Sequence, residues 1–82
     1  MQYEIEIKPQ ALKDTKKIPK NIVTQIFDKI ELLSNNLQGG VKKLTNFTPK
    51  YRLRVGNYRI LFEIEDDKIS IYRILHRKDV YK

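Results

Sequence analysis

The sequence predicts an α+β fold, in which an N-terminal strand and an antiparallel two-helix hairpin pack on an antiparallel β-sheet. Three observations predict it. Tyr3, Ile5 and Ile7 alternate with Glu4, Glu6 and Lys8, a period of two. Apolar residues then recur at three- and four-residue spacing from Ile22 to Leu37. After Lys50 the period returns to two through Glu65, and an Ile- and Tyr-rich run follows from Lys68 to Leu75. Helices gathered in one part of the chain and strands in another point to helices on one face of an antiparallel sheet. The 82 residues suit a single domain, residues 1–82, with one small core.

Each element has its own signals. The first strand ends at Pro9, which suits the first position of a helix. Residues 9–17 then read as a short helix with Ala11, Leu12 and Ile18 turned inward. Pro19 opens a second helix whose stripe is Ile22, Ile26, Phe27, Ile30, Leu33 and Leu37. Ser34-Asn35-Asn36 and Gly39-Gly40 end it. Tyr51, Leu53 and Val55 alternate with Lys50, Arg52 and Arg54, and Gly56-Asn57 is a turn signal. Tyr58, Ile60, Phe62 and Ile64 face one way on the next strand, and Arg59, Leu61, Glu63 and Glu65 the other. Asp66-Asp67 makes a second tight turn that tolerates positive φ. Lys68 to Leu75 is rich in Ile and Tyr. It reads as a strand apolar on both faces through Ile69, Ile71, Tyr72 and Ile74, as a central strand would be.

Composition narrows the chemistry. The chain has no Cys and one His, so disulfides and a zinc ligand set are excluded. Glu63, Glu65, Asp66 and Asp67 are better read as solvated surface than as a hard-cation site. There is no nucleotide-cradling glycine motif and no nucleophile elbow around Ser34 or Ser70. No apolar run approaches the roughly 20 residues of a membrane span. The opening MQYEIEIK lacks the apolar stretch of a signal peptide, so cytoplasmic localisation is expected.

Charge points toward a partner. Seventeen Lys and Arg against 10 Asp and Glu give +7. Residues 42–82 hold 11 of those bases and 5 of the acids, a net +6. Such asymmetry suits a polyanion or an acidic protein. Arg52 and Arg54 project from one face of one strand, and Arg59 begins the next strand beyond a short turn. His76 and Arg77 end the third strand, near the same patch if the meander is regular. Guanidiniums that converge repel one another, but each can grip a phosphate bidentately. The bland reading is a solvated basic sheet face. Tyr81 either stacks on a base or packs its ring on the sheet edge. His76 either transfers protons or makes an ordinary structural hydrogen bond.

The helical hairpin followed by KYRLRVGNYRILFEIEDDKISIYRILHRKDVY resembles the RelE family of toxins from toxin–antitoxin pairs, within the RelE/ParE superfamily. The likeness spans nearly the whole chain. Its most specific parts are the basic alternation in YRLRVGNYRILFEI and the closing HRKDVY. The resemblance implies a metal-independent endoribonuclease that cuts mRNA on the ribosome and needs no cofactor. It also implies an acidic RelB-like antitoxin, operator DNA contact only through that antitoxin, and no membrane. Carried over by residue, the catalytic set is Arg52, Arg54, Arg59, Arg77 and Tyr81. The resemblance implies lysines at the two alternating strand positions, and this chain has arginines there. Arg keeps its proton, so His76 becomes the expected general acid or base. ParE-type relatives, which poison DNA gyrase by binding, are the alternative, and an inert basic RNA-binding module is a third. Some relatives carry a C-terminal helix, for which no residues are expected after Lys82.

Overall fold

The computed structural model describes residues 3–35, 49 and 51–80, and the backbone of residues 41–43. Its elements run β1 (Glu4–Ile7), α1 (Pro9–Thr15), α2 (Lys20–Asn35), β2 (Val41–Lys43), β3 (Tyr51–Val55), β4 (Tyr58–Glu65), β5 (Lys68–His76) and α3 (Arg77–Val80). The strands form one sheet in the order β1-β5-β4-β3-β2. The antiparallel expectation holds from β2 to β5, whereas β1 lies parallel to β5, so the sheet is mixed. Alternation within β1 reports that one face is buried but not which way its neighbour runs. The two helices carry the chain from one edge of the sheet, β1, to the other, β2. The strand β2 was not anticipated, being three residues long. Leu37 and the Gly39-Gly40 stop lie outside the described residues.

Pro9 occupies the start of α1 as expected, with Lys8 extended before it. The helix ends at Thr15, whose Oγ1 donates to the Leu12 carbonyl at 2.6 Å. Leu12 corrects the inward reading, since it is 49% exposed while Ala11 and Ile18 are buried. Pro19 offers its carbonyl to the backbone N–H groups of Ile22 and Val23, both at 3.0 Å, and so launches α2. Ile26, Ile30 and Leu33 are buried from α2, with Ile22 and Phe27 packed beside them. Each such burial is worth about 1.5–3 kcal/mol. They meet Leu53, Val55, Ile60, Phe62, Ile69, Ile71 and Ile74 from the sheet. No described helix is long and apolar enough to cross a membrane.

The β3–β4 turn places Gly56 at φ 57°, and the β4–β5 turn places Asp66 at φ 55°. Positive φ at the first central residue is what a type II′ hairpin turn requires.

One irregularity reorganises β5. Leu61 pairs with Arg73 but Phe62 pairs with Ile71, so Tyr72 is an extra residue without a partner. The bulge shifts the alternation by one. Ile69, Ile71 and Ile74 therefore all face the helices, while Tyr72 is exposed. This corrects the reading of β5 as a strand apolar on both faces.

β1 ends opposite Ile71, leaving the rest of that β5 edge uncovered. Asp14 of α1 closes it. Its Oδ2 accepts the Ile74 N–H at 3.0 Å, and the carboxylate takes Arg73 Nε at 2.9 Å and Nη2 at 3.1 Å. Burial would push the Asp14 carboxyl up, but Arg73, the Ile74 N–H and Gln10 together hold it below its ordinary value.

Candidate functional site

The ladder sorts the sheet into two faces. Val55, Tyr58 and His76 lie opposite one another on the helix-covered side, as do Leu53, Ile60 and Ile74. Arg54 and Arg59 pair on the other, polar side, and Arg52, Leu61 and Arg73 form the next row there. Arg52 and Arg54 thus stand beside Arg59, as the sequence suggests.

Arg59 differs from the exposed cation that the alternation implies. It is only 7% exposed. Its Nη1 donates to the Gly56 and Tyr58 carbonyls, each at 2.9 Å. Among the described residues it forms no ion pair with a carboxylate. Arg54 is its exposed cross-strand neighbour, and side chains directly opposite sit roughly 4.5–5.5 Å apart at Cβ. A buried guanidinium held by carbonyls next to a second guanidinium is an electrostatic deficit that an anion would relieve.

His76 is not brought to this face. Its ring packs edge-on against Tyr58, with centroids 5.3 Å apart and planes at 82°. Its Nδ1 accepts the Lys78 N–H at 3.2 Å, which pins the first turn of α3. The ring also lines a cavity of about 430 Å³ with Asp14, Lys17, Tyr58 and Asp79. Arg77 donates its backbone N–H to the Asn57 carbonyl at 2.7 Å, extending the ladder one step beyond His76. Arg77, the first residue of α3, is thereby tied by its backbone to the β3–β4 turn. Tyr81, the last of the expected set, lies outside the described residues.

The other end of the polar face is arranged differently. Glu6 pairs with Lys8 and, at 3.0 Å, with Lys68. These two ammonium groups, Lys8 first, hold the Glu6 carboxyl below its ordinary value. The arginines Arg54 and Arg59 thus gather on the β3–β4 side, while on the β1 side Lys8 and Lys68 share Glu6. Among the described residues no cluster of His and carboxylates is placed to hold a metal ion.

The sequence reading missed three contributors. Tyr58 reads as core but also fixes the His76 ring. Asp14 and Arg73 are 59 residues apart, and the one available signal is an arginine inside the Ile-rich run ISIYRIL.

Comparison with known proteins gives a consistent picture. The family model described as the ParE toxin of the type II toxin–antitoxin system, parDE, matches residues 5–81. The chain is 40% identical to Toxin RelE3 of Methanocaldococcus jannaschii over 75 residues, 85% of each chain. The crystal structure of a RelB–RelE antitoxin–toxin complex from Methanococcus jannaschii superposes with TM-score 0.78 at 38% identity, covering 93% of this chain and 94% of that one. The RelBE2 toxin–antitoxin complex of Mycobacterium tuberculosis gives TM-score 0.80 at 26% identity, covering 94% of this chain and all of that one (100%).

Proposed function

The chain belongs to the RelE/ParE superfamily of type II toxins, on its RelE side, and from that premise we propose that it is a metal-independent endoribonuclease acting on ribosome-bound mRNA. The observation that carries the reading is Arg59, buried, held by two carbonyls and paired across the ladder with Arg54. Folding such a pair costs energy, and a phosphodiester is the ligand that would offset the cost.

The mechanism proposed is transesterification. The 2′-OH attacks its own 3′-phosphate, the bond to the 5′-oxygen breaks, and the products are a 2′,3′-cyclic phosphate and a 5′-OH. Arg52, Arg54, Arg59 and Arg77 hold the phosphate and stabilise the charge that grows on its oxygens. Burial fixes the Arg59 guanidinium before substrate arrives, so little reorganisation is needed during reaction. None of these arginines can accept a proton. His76 was the natural candidate for that task, but its ladder position favours another role. By accepting the Lys78 N–H it positions α3 and hence Arg77. Proton transfer is left to Tyr81 or solvent. The ribosome would supply much of the specificity by presenting a splayed single strand.

The partner proposed is an acidic RelB-like antitoxin, supported by the toxin–antitoxin complexes among the structural relatives. It would neutralise the +7 chain and carry any operator DNA contact. The matched family model is described as the ParE toxin, and this favours gyrase inhibition as the second reading. Purified protein added to a translation extract, with mRNA ends mapped and a gyrase cleavage assay run in parallel, separates the two. Discrete 5′-OH ends in mRNA support the nuclease, and stabilised gyrase–DNA cleavage without mRNA cutting would reverse the assignment.

A further inference from the structure

Tyr72, the unpaired residue of the β5 bulge, is the one exposed aromatic side chain among the described residues. It walls a groove of about 770 Å³ together with Pro9 and Pro49. Lys8, Lys13 and Arg73 rim the groove, and Glu63 is its one lining carboxylate. The Lys8 ammonium sits 5.6 Å from the centroid of the Tyr72 ring. Bulges re-aim side chains, and here the extra residue sets Tyr72 on the surface beside Arg73.

We propose that this groove is a second subsite for single-stranded RNA, taking a base of the message that flanks the cleaved position. The inference rests on the nuclease reading above. Three features favour this occupant. The first is continuity, because Arg52, Leu61 and Arg73 form one cross-strand row. At a strand spacing of about 4.8 Å, that row is roughly 10 Å long, a short step for a nucleotide chain gripped at Arg52. The second is charge. Lys13 pairs with no carboxylate among the described residues, and Arg73 stays 41% exposed although Asp14 holds its Nε and Nη2. The third is shape. A phenol ring between two prolines offers flat apolar surface with cations at its margin, which suits a base and its phosphates. An acidic peptide would satisfy the cations but has no need of the ring or of the row leading to Arg52.

The test uses ribosomes programmed with a message whose attacking sugar is 2′-O-methylated, so that it cannot be cut. A single 4-thiouridine is stepped through neighbouring positions and irradiated in the presence of the toxin. A flanking position should crosslink to Tyr72 or its immediate neighbours. Tyr72→Ala should weaken binding to the programmed ribosome about 10-fold, within the range expected for one stacked base. Tyr72→Phe should bind like the wild type, and Lys13→Glu, on an exposed helix position, should weaken binding without touching the bulge. Crosslinks confined to β3 and β4, with unchanged affinity in Tyr72→Ala and Lys13→Glu, would overturn the groove and leave the arginine site standing. Crosslinks from this groove to ribosomal RNA, or an effect seen only with an acidic amphipathic peptide, would also overturn it. If the unmodified message is not cut at all, the nuclease reading fails and the subsite fails with it.

Discussion

Arg54 and Arg59 face each other across the β3–β4 ladder, one exposed and the other only 7% exposed. Their substitution should therefore separate binding from folding. Arg59→Ala should lower the single-turnover cleavage rate about 10²–10³-fold, the usual loss when one preorganised donor is removed. It should also destabilise the fold by roughly 1–3 kcal/mol, because the Gly56 and Tyr58 carbonyls lose their donor. Arg54→Ala should slow cleavage and change stability by no more than about 0.5 kcal/mol. Rapid-quench kinetics and thermal melts on both variants check this. Full activity in a folded Arg59→Ala protein would eliminate the phosphate clamp.

Arg52→Lys and Arg54→Lys should keep substantial activity. Charge is retained at both positions, and a donor with a tunable pKa replaces one that never titrates. What should fall is the bidentate grip, seen as a higher KM with kcat less affected. Cleavage assays across substrate concentration measure the split, and a collapse of kcat in either variant would show that the planar fork itself is needed.

His76→Ala should leave the shape of the pH–rate profile intact while reducing the rate and loosening α3. The reason is that Nδ1 is engaged by the Lys78 N–H and the ring faces Tyr58 on the helix-covered side. Loss of one limb of the profile would instead make His76 the proton-transfer group. Hydrogen exchange at Lys78 gives an activity-independent reading of the same bond.

Asp14 predicts a specific acid sensitivity. Its folded-state pKa is depressed despite burial, chiefly through Arg73 and the Ile74 N–H. Its stabilisation is therefore fully present above the unfolded carboxyl value near 4 and is lost as pH falls through the lower folded value. Asp14→Asn should cost roughly 1–3 kcal/mol at neutral pH and flatten the decline in Tm below about pH 4. Melts from pH 7 down to pH 2 measure it. An unchanged acid limb in the variant would contradict the argument.

Cleavage should persist in EDTA. The described residues provide no set of His and carboxylates able to hold a metal ion, and the arginines supply the charge that a metal would otherwise bring. The ribosome itself requires Mg²⁺, so single-turnover cleavage of a pre-assembled complex is the measurement. Activity abolished by chelation and restored by Mn²⁺ would refute the mechanism.

Much of this architecture is written in the spacing of residues. β1, the α2 stripe, both hairpin turns and the placement of Arg52 and Arg54 opposite the core follow from periods of two and 3.6 and from Gly56 and Asp66. The membership of the site was less legible, for one physical reason. A regular meander would set His76 and Arg77 beside the arginines. The extra residue at Tyr72 shifts the register by one, and His76 falls opposite Tyr58 on the helix-covered face instead. Arg59 stands beside Arg54 as the sequence suggests, but its burial is not legible there. A hydropathy pattern scores a guanidinium as exposed, and only coordinates reveal that it curls back onto its own turn. The parallel setting of β1 depends on where the helical crossover delivers the chain, which alternation does not encode.

The parallel pairing of β1 with β5 also governs when this protein can become dangerous. Glu4 meets Lys68 and Ile7 meets Ile71, so the first strand to leave the ribosome waits for one of the last. Contacts so distant in sequence form late, since a long loop must close before they stabilise anything. The β3–β4 hairpin that carries Arg52, Arg54 and Arg59 is local, but the core beneath it lacks Ile69, Ile71 and Ile74 until β5 is made. Nascent chains stalled before Lys68 should remain open to protease, and chains released past His76 should resist it. An antitoxin present at that moment would meet a toxin that has only just finished folding, not one already at work.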